Sequence, residues 1–529
     1  MTHFLHPNFS RRRFLMLAGG AGAVGLAAAN RLHAQPSNPN PPEALPDQPN
    51  LLFIVTDQER TPQHWPADWN FAQNLPNRQR LLDHGISFQR HFCNASMCSP
   101  SRASLFTGLY PEQHGLKMTL TYNGKLSGTE TPLSPNLQNM AQMLAAAGYH
   151  VAWKGKWHMS KHADGGPVDA DDLLTFGANE WKPTTAGEAQ DPADYGDGCA
   201  ANDPDIAGQA VSFLENYTGG APFALFVMLV NPHDVIAYPA GFDDESCGAS
   251  QYSSTANFNM GIPLPPTVNE DLATKPTVQA QSRDLYASFL GPLLTDQRKL
   301  NYVNFYAELH MRIDQQIGRV LAALDARSLV NDTVILRTAD HGEMGLSHGG
   351  LRQKMFNAYD ETLRVPLIIS NPLLFPTPVV SNALASLVDL MPTVASLAHL
   401  SNPQVIHFSG FDLTPLFSEP TASVQDAILF TFDDERAGTA TELPYVQQPS
   451  HIRCMREQNW KYARYFDPVG QAPPQYELYD LAADPLEQIN LAGNPAYAAD
   501  EARLRERLIQ LESERLTPFS QLYLPSLTK

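Results

Sequence analysis

Five short runs hold the residues of this chain whose types and spacing suit covalent or metal chemistry. One is Cys98, followed by Ser99-Pro100-Ser101-Arg102. A covalent catalyst needs a nucleophile that is positioned and activated, and a thiol is already reactive. Pro100 fixes its own φ and suits the first turn of a helix. Cys98 then sits at the helix start, near unpaired N–H groups that favour an anion. Arg102, one turn on, can point its guanidinium back at the same spot. The other four runs are Asp57-Gln58, Gly155-Lys156-Trp157-His158, Asn231-Pro232-His233-Asp234 and Asp340-His341-Gly342-Glu343. Asp57, Gln58, Asp340 and His341 form a metal set. Two carboxylates and a side-chain carbonyl suit a hard divalent cation, and the imidazole widens the choice toward manganese. Taken singly, Asp57 reads as a helix cap and Asp340-His341-Gly342 as an ordinary turn; beside Cys98 they read as parts of one site.

Elements of alternating type must bring these runs together. Apolar runs at Asn50–Thr56, Tyr149–Trp153, Phe223–Val230 and Thr333–Thr338 predict buried strands, and each directly precedes one of the four runs just named. Helical patterns lie between them, at Pro135–Ala147, Asp205–Tyr217 and Tyr302 to about Arg327. Strands alternating with helices predict an α/β fold with a large, mostly parallel sheet flanked by helices. In such sheets ligands bind at the carboxyl ends of the strands, so the four strand-end runs are expected to converge there with Cys98. Residues 238–298, rich in Pro, Ser and Asn, show no clear periodicity and read as an insertion or substrate-covering loop.

The string Cys98-Ser99-Pro100-Ser101-Arg102, continued to Thr107-Gly108, resembles the formylglycine signature of the type I sulfatases, in the alkaline phosphatase superfamily. The resemblance spans about Asn50 to Glu514 and implies a sulfate monoester hydrolase, of the arylsulfatase or choline-sulfatase kind, whose Cys98 is oxidised to an aldehyde. Its hydrate would attack sulfur. It implies one divalent ion, calcium first with manganese or magnesium as alternatives, on Asp57, Gln58, Asp340, His341 and the modified Cys98. Arg102, Lys156 and Lys354 would hold sulfate oxygens, His233 would protonate the leaving alcohol, and His158 would collapse the sulfated intermediate. Lys156 is chosen over Lys154 because the family motif is Gly-Lys-x-His; Val151 and Lys154 depart from its usual residues. Lys354 is chosen over Arg352, while His310 and His348 are left as structural or peripheral. Short strand candidates at Ile428–Phe432, Ile452–Met455 and Trp460–Tyr465 precede Leu478-Tyr479-Asp480-Leu481 and a helix from about Ala498 to Glu514. This resembles the family's smaller C-terminal antiparallel sheet plus helix. Expected boundaries are therefore a catalytic domain over 50–421 and an α+β subdomain over 422–529. A phosphonate monoester or phosphodiester hydrolase on the same residues is the alternative, and a non-catalytic binding protein of this fold a remote one.

The N-terminus reads Ser10-Arg11-Arg12-Arg13-Phe14-Leu15, then an apolar Gly/Ala-rich run, then Leu32-His33-Ala34. It resembles a twin-arginine export signal over 1–34 with a linker over 35–49, and predicts a periplasmic or secreted protein. The expected partners are a sulfate ester, a maturation enzyme that makes formylglycine, and the twin-arginine translocase. Gly20-Ala21-Gly22-Ala23-Val24-Gly25 fits a dinucleotide loop but lies inside the export signal. The 529 residues suggest one large domain plus a smaller one. A formal charge of −19 argues against nucleic acid as a partner, so an anionic substrate needs a locally positive pocket. Five cysteines do not make a disulfide scaffold, and whether Cys199 and Cys247 pair is left open.

Overall fold

The computed structural model describes residues 44–120, 130–182, 199–243, 252, 258–400, 407–437 and 445–516. The export signal expected over 1–34, most of the linker and Cys247 lie outside the described residues. Among those described there are eleven strands: β1 (Asn50–Asp57), β2 (Gly85–Phe92), β3 (His150–Gly155), β4 (Phe223–Pro232), β5 (Thr333–Ala339), β6 (Leu367–Ser370), β7 (Val379–Ser386), β8 (Ile428–Phe432), β9 (His451–Arg456), β10 (Trp460–Phe466) and β11 (Gln475–Asp480). No described helix is long and apolar enough to cross a membrane.

Strand β1 is central because its side chains from Leu51 to Val55 are all apolar. From Leu51 onward it is buried, and parallel neighbours flank it on both edges. Its side chains alternate between two cores, as a period of two requires. Leu51, Phe53 and Val55 join the helix Cys98–Thr107 through Leu105 and Phe106. Leu52 and Ile54 join the helices Asn202–Asn216 and Asp296–Ala326 on the opposite face. Each large apolar side chain so buried contributes roughly 1.5–3 kcal/mol. The sheet order is β3-β4-β1-β5-β6-β2-β7, and β6 alone runs against the others. The mostly parallel sheet and the second sheet, β11-β10-β9-β8 and antiparallel, are both as expected. Leu504, Leu508 and Leu511 of the helix Ala498–Arg515 pack on Leu429, Met455, Tyr462 and Leu478 of this second sheet.

Several boundaries differ from the periodicity. The helix expected from Pro135 starts at Met140, where the Asn139 side chain accepts from the backbone N–H of Gln142 and caps it. The long helix starts earlier than expected, at Asp296, capped by Thr295. Residues 277–289, read as loop, form a helix whose buried residues are Val278, Gln279, Ser282, Leu285 and Tyr286. The spacing is helical, but two of the five are polar, so hydropathy does not reveal the stripe.

Candidate active site

Because β1, β3, β4 and β5 are parallel, their carboxyl ends share one edge, and the four strand-end runs emerge there. Gly155 makes the turn out of β3 at φ +92°, and a Cβ there would collide with the carbonyl oxygen of Met228. Only glycine therefore lets the chain bend to present Lys156. Gln58 and His158 also hold positive φ, at +65° and +56°. For side-chain residues this is costly backbone that surrounding structure must impose. Met97 precedes the helix Cys98–Thr107, and Gly108 ends it at φ +68°.

The side chains meet in a fully buried cluster. Asp57 Oδ2 accepts from Arg102 Nη2 at 2.9 Å and pairs with Lys156 Nζ at 2.7 Å. Arg102 Nε reaches Asp340 Oδ2 at 2.9 Å. Cys98 Sγ lies 3.2 Å from His341 Nε2 and 3.7 Å from Asp57 Oδ1. His341 Nε2 is 3.6 Å from both Asp57 Oδ1 and Asp340 Oδ1. Backbone N–H groups of Gln58 and His341 donate to Asp340 Oδ1 at 3.0 and 2.8 Å. Lys354 Nζ donates to Gln58 Oε1 at 2.5 Å, and Gln58 Nε2 donates to Glu343 Oε2 at 2.6 Å. Glu343 is itself held by Tyr302 at 2.7 Å. His158 Nε2 donates to the carbonyl of Leu120 at 2.9 Å. His233 follows the cis peptide Asn231–Pro232 and is buried against the same cluster.

Charge is distributed unevenly among these groups. Burial and Asp57 push the Cys98 thiol up, yet Lys354, Lys156 and His341 outweigh them and hold it well below the usual thiol range. The atom that would carry the nucleophile thus sits where negative charge is favoured. Burial raises Asp57, but Lys156, His233, Arg102 and His341 overcome it and keep the carboxyl low. Burial and Asp57 push Asp340 up to about 6. Two buried carboxylates and a thiol here face Arg102, Lys156, Lys354 and His341, so anionic and cationic groups are interleaved at this edge. Ligand atoms of Asp57, Cys98, Asp340 and His341 all lie within 4.8 Å of one another. The donor set of two carboxylates, an imidazole and the Cys98 side chain fits a divalent cation. Burial and Lys354 lower His233 to about 4, so its imidazole is neutral near pH 7 in the absence of substrate. A second group, His162 with Asp169 and Asp172, lies near the surface; its two carboxylates already cap a short helix.

All the expected site residues lie in or directly around this cluster, but the divisions of labour differ. Arg102 was expected on substrate oxygens, and its Nη2 and Nε are directed at Asp57 and Asp340. Arg352, the rival of Lys354, turns away to donate to the carbonyls of Tyr286 and Gly291 at 2.8 and 2.9 Å. His348 stacks on Tyr359 with ring centres 3.6 Å apart and bonds Glu270, which is a structural role. Sequence reasoning assigned no role to Glu343 or to Leu120. The run Asp340-His341-Gly342-Glu343 contained the first, and no local pattern marks the second.

Residues 49–400 match the family model described as Sulfatase. Residues 348–514 match the one described as N-sulphoglucosamine sulphohydrolase, C-terminal. An N-acetylglucosamine-6-O-sulfatase of Bacteroides thetaiotaomicron is 24% identical over 90% of this chain and 88% of its own. The solved structure of BT4656 with its substrate D-glucosamine-2-N,6-O-disulfate superimposes with a TM-score of 0.67 at 20% identity, over 88% of this chain and 98% of that one. A phosphonate monoester hydrolase from Silicibacter pomeroyi gives a TM-score of 0.65 at 23% identity, over 88% and 96%.

Proposed function

This chain belongs to the sulfatase family and is a sulfuric ester hydrolase, and from that premise we propose that its nucleophile is formylglycine made from Cys98. The observation that carries this reading is the position of Cys98 Sγ, 3.2 Å from His341 and inside a pocket that favours negative charge at that atom. One hydroxyl of the hydrated aldehyde passes its proton to Asp340, the raised carboxyl beside it, and forms a bond to sulfur, and the bond from sulfur to the carrier oxygen breaks. His233 gives the departing oxygen its proton. Its low affinity for a proton in the free protein is offset when a sulfate anion lies beside it. His158 then takes the proton of the remaining hydroxyl, the bond to the sulfated oxygen breaks, and sulfate leaves as the aldehyde re-forms. Since a carbonyl only accepts, the ring nitrogen of His158 that carries a proton toward Leu120 is Nε2. Lys156 and Lys354 stabilise charge moving onto the sulfuryl oxygens. Arg102 holds Asp57 and Asp340 in place. A divalent cation, calcium first with manganese or magnesium as alternatives, would be held by Asp57, Gln58, Asp340, His341 and the modified Cys98, and when bound it polarises the sulfuryl group.

Peptide mass spectrometry of fully active protein tests the nucleophile: formylglycine at 98 is expected, and unmodified cysteine alone would refute it. Higher rates on aryl sulfates than on matched aryl phosphonate esters would decide against the phosphonate reading that the Silicibacter fold keeps in view. Sulfated amino sugars belong in the first substrate panel, because relatives act on them. We further propose maturation by a formylglycine-generating enzyme and twin-arginine export to the periplasm. Replacing Arg11 and Arg12 by Lys should retain the precursor in the cytoplasm.

A further inference from the structure

Thr119 and Leu120 form a short backbone strap shared by three parts of the molecule. The Leu120 carbonyl accepts from His158 Nε2 at 2.9 Å. Its N–H donates to Ser99 Oγ at 3.0 Å, beside Cys98 on the nucleophile helix. The Thr119 N–H donates to Asp434 Oδ2 at 2.8 Å. Asp434 follows β8 of the second sheet and is 3% exposed; Leu120 is fully buried. A buried N–H needs an acceptor, and Asp434 supplies it for Thr119. Anchoring two successive N–H groups fixes the peptide planes on both sides of Thr119, so the Leu120 carbonyl keeps only the torsions of Leu120 itself, and its bond from His158 closes the strap. That carbonyl sets the tautomer and tilt of His158, whose backbone is itself in the left-handed region at φ +56°.

We propose that Asp434 is a positioning residue for His158, acting through the Thr119–Leu120 strap, so that the second sheet orients the imidazole that receives a proton when the sulfated intermediate collapses. This rests on the role given to His158 above. Asn keeps an oxygen that accepts from Thr119, and Ala does not. Asp434→Ala should therefore lower kcat about tenfold to a hundredfold with KM little changed, since small misplacements of a proton-transfer group cost that much. The sulfated Cys98 peptide should accumulate during turnover. Asp434→Asn should restore both.

The test combines these kinetics with nitrogen NMR of histidine-labelled protein, in which His158→Ala assigns the His158 ring. Loss of the Nε2–H signature in Asp434→Ala and its return in Asp434→Asn would establish the strap without any turnover. A ring signature unchanged in Asp434→Ala, or a rise in KM alone, would overturn the proposal, the latter by making Asp434 a substrate contact. Should His158→Ala fail to accumulate sulfated enzyme, the base role is wrong, and the ring signature still decides the positioning. If Asp434→Ala is insoluble, Asp434→Val, which keeps more of the side-chain volume and still offers no acceptor, takes its place; an undisturbed His158 ring there would equally overturn it.

Discussion

Among the buried clusters of opposite charge in the described residues, two sit in different settings. At the strand ends, Asp57 and Asp340 face each other across Arg102, with Lys156, His341 and Cys98 crowded beside them. Between the two sheets, Lys461 Nζ pairs with Asp360 at 2.7 Å and Glu487 at 2.5 Å. There Glu487 accepts the Asp360 N–H at 2.8 Å, and neighbouring Glu477 accepts from Tyr465 and Tyr479 at 2.7 Å each. Burial raises Asp360, but Lys461 and Arg456 overcome it and hold the carboxyl low. Each cluster also keeps one raised carboxyl, Asp340 at about 6 and Glu487 at about 7. Buried charge alone therefore does not mark a reactive centre. The inter-sheet cluster supplies a cation to its carboxylates and joins layers. The strand-end cluster instead surrounds a thiol that Lys354, Lys156 and His341 hold well below its usual range.

The sharpest test of this contrast is Cys98→Ala, expected to abolish turnover while the thermal unfolding midpoint stays near that of the parent. A retained rate on any sulfate ester would erase the distinction. Next, exhaustive chelation, and separately Asp57→Asn or Asp340→Asn, should lower kcat/KM on the order of 10³-fold, since a bound cation is worth several kcal/mol of transition-state charge. Elemental analysis should show the metal lost in step. Lys461→Met should do the reverse. Removing one partner of a buried pair costs about 3–5 kcal/mol, read by urea unfolding, while kcat per folded molecule holds. His233→Ala should lower rates about 10²-fold on alkyl sulfates and less on nitrophenyl-type esters, which leave without a proton. Equal slopes across leaving groups would remove His233 from the acid role.

The smallest expected effect concerns His348, which lies near the inter-sheet cluster. Burial lowers it, but Glu361 and Glu270 outweigh burial and raise it to about 9. A group raised on folding stabilises fully below its unfolded pKa, near 6.5, and that stability is lost as pH climbs through about 9. The contribution is on the order of 1–3 kcal/mol. His348→Gln should lower stability by that amount below pH 6 and flatten its decline between about 6.5 and 9, as read by urea unfolding across pH.

Much of the centre was legible because reactive residues and their strands are local strings. Short apolar runs place β1, β3, β4 and β5, and each is followed at once by its chemical residue. Strands β2, β6 and β7 were not legible. β2 carries Gln89, Arg90 and His91 within its eight residues, and β6 has only four residues. Neither pattern separates from a loop until a neighbouring strand satisfies its backbone. The helix Thr277–Phe289 was hidden for a related reason, since Gln279 and Ser282 of its buried face are polar. Gln279 is buried because Glu477 and Tyr465 of the second sheet reach it.

By itself the sequence determined which atoms are available for chemistry, the strand that delivers each, and, through parallel order, that they share an edge. It did not determine which partner each would hold. Arg102 is directed at Asp57 and Asp340, Lys354 at Gln58, and His158 at Leu120. These partners lie far apart along the chain. They become neighbours only when strand order and helix docking bring them within about 3 Å, and at that range a buried polar group binds whichever complementary atom faces it. Local patterns encode periodicity and reactivity, whereas the choice of partner is a property of the packed tertiary structure.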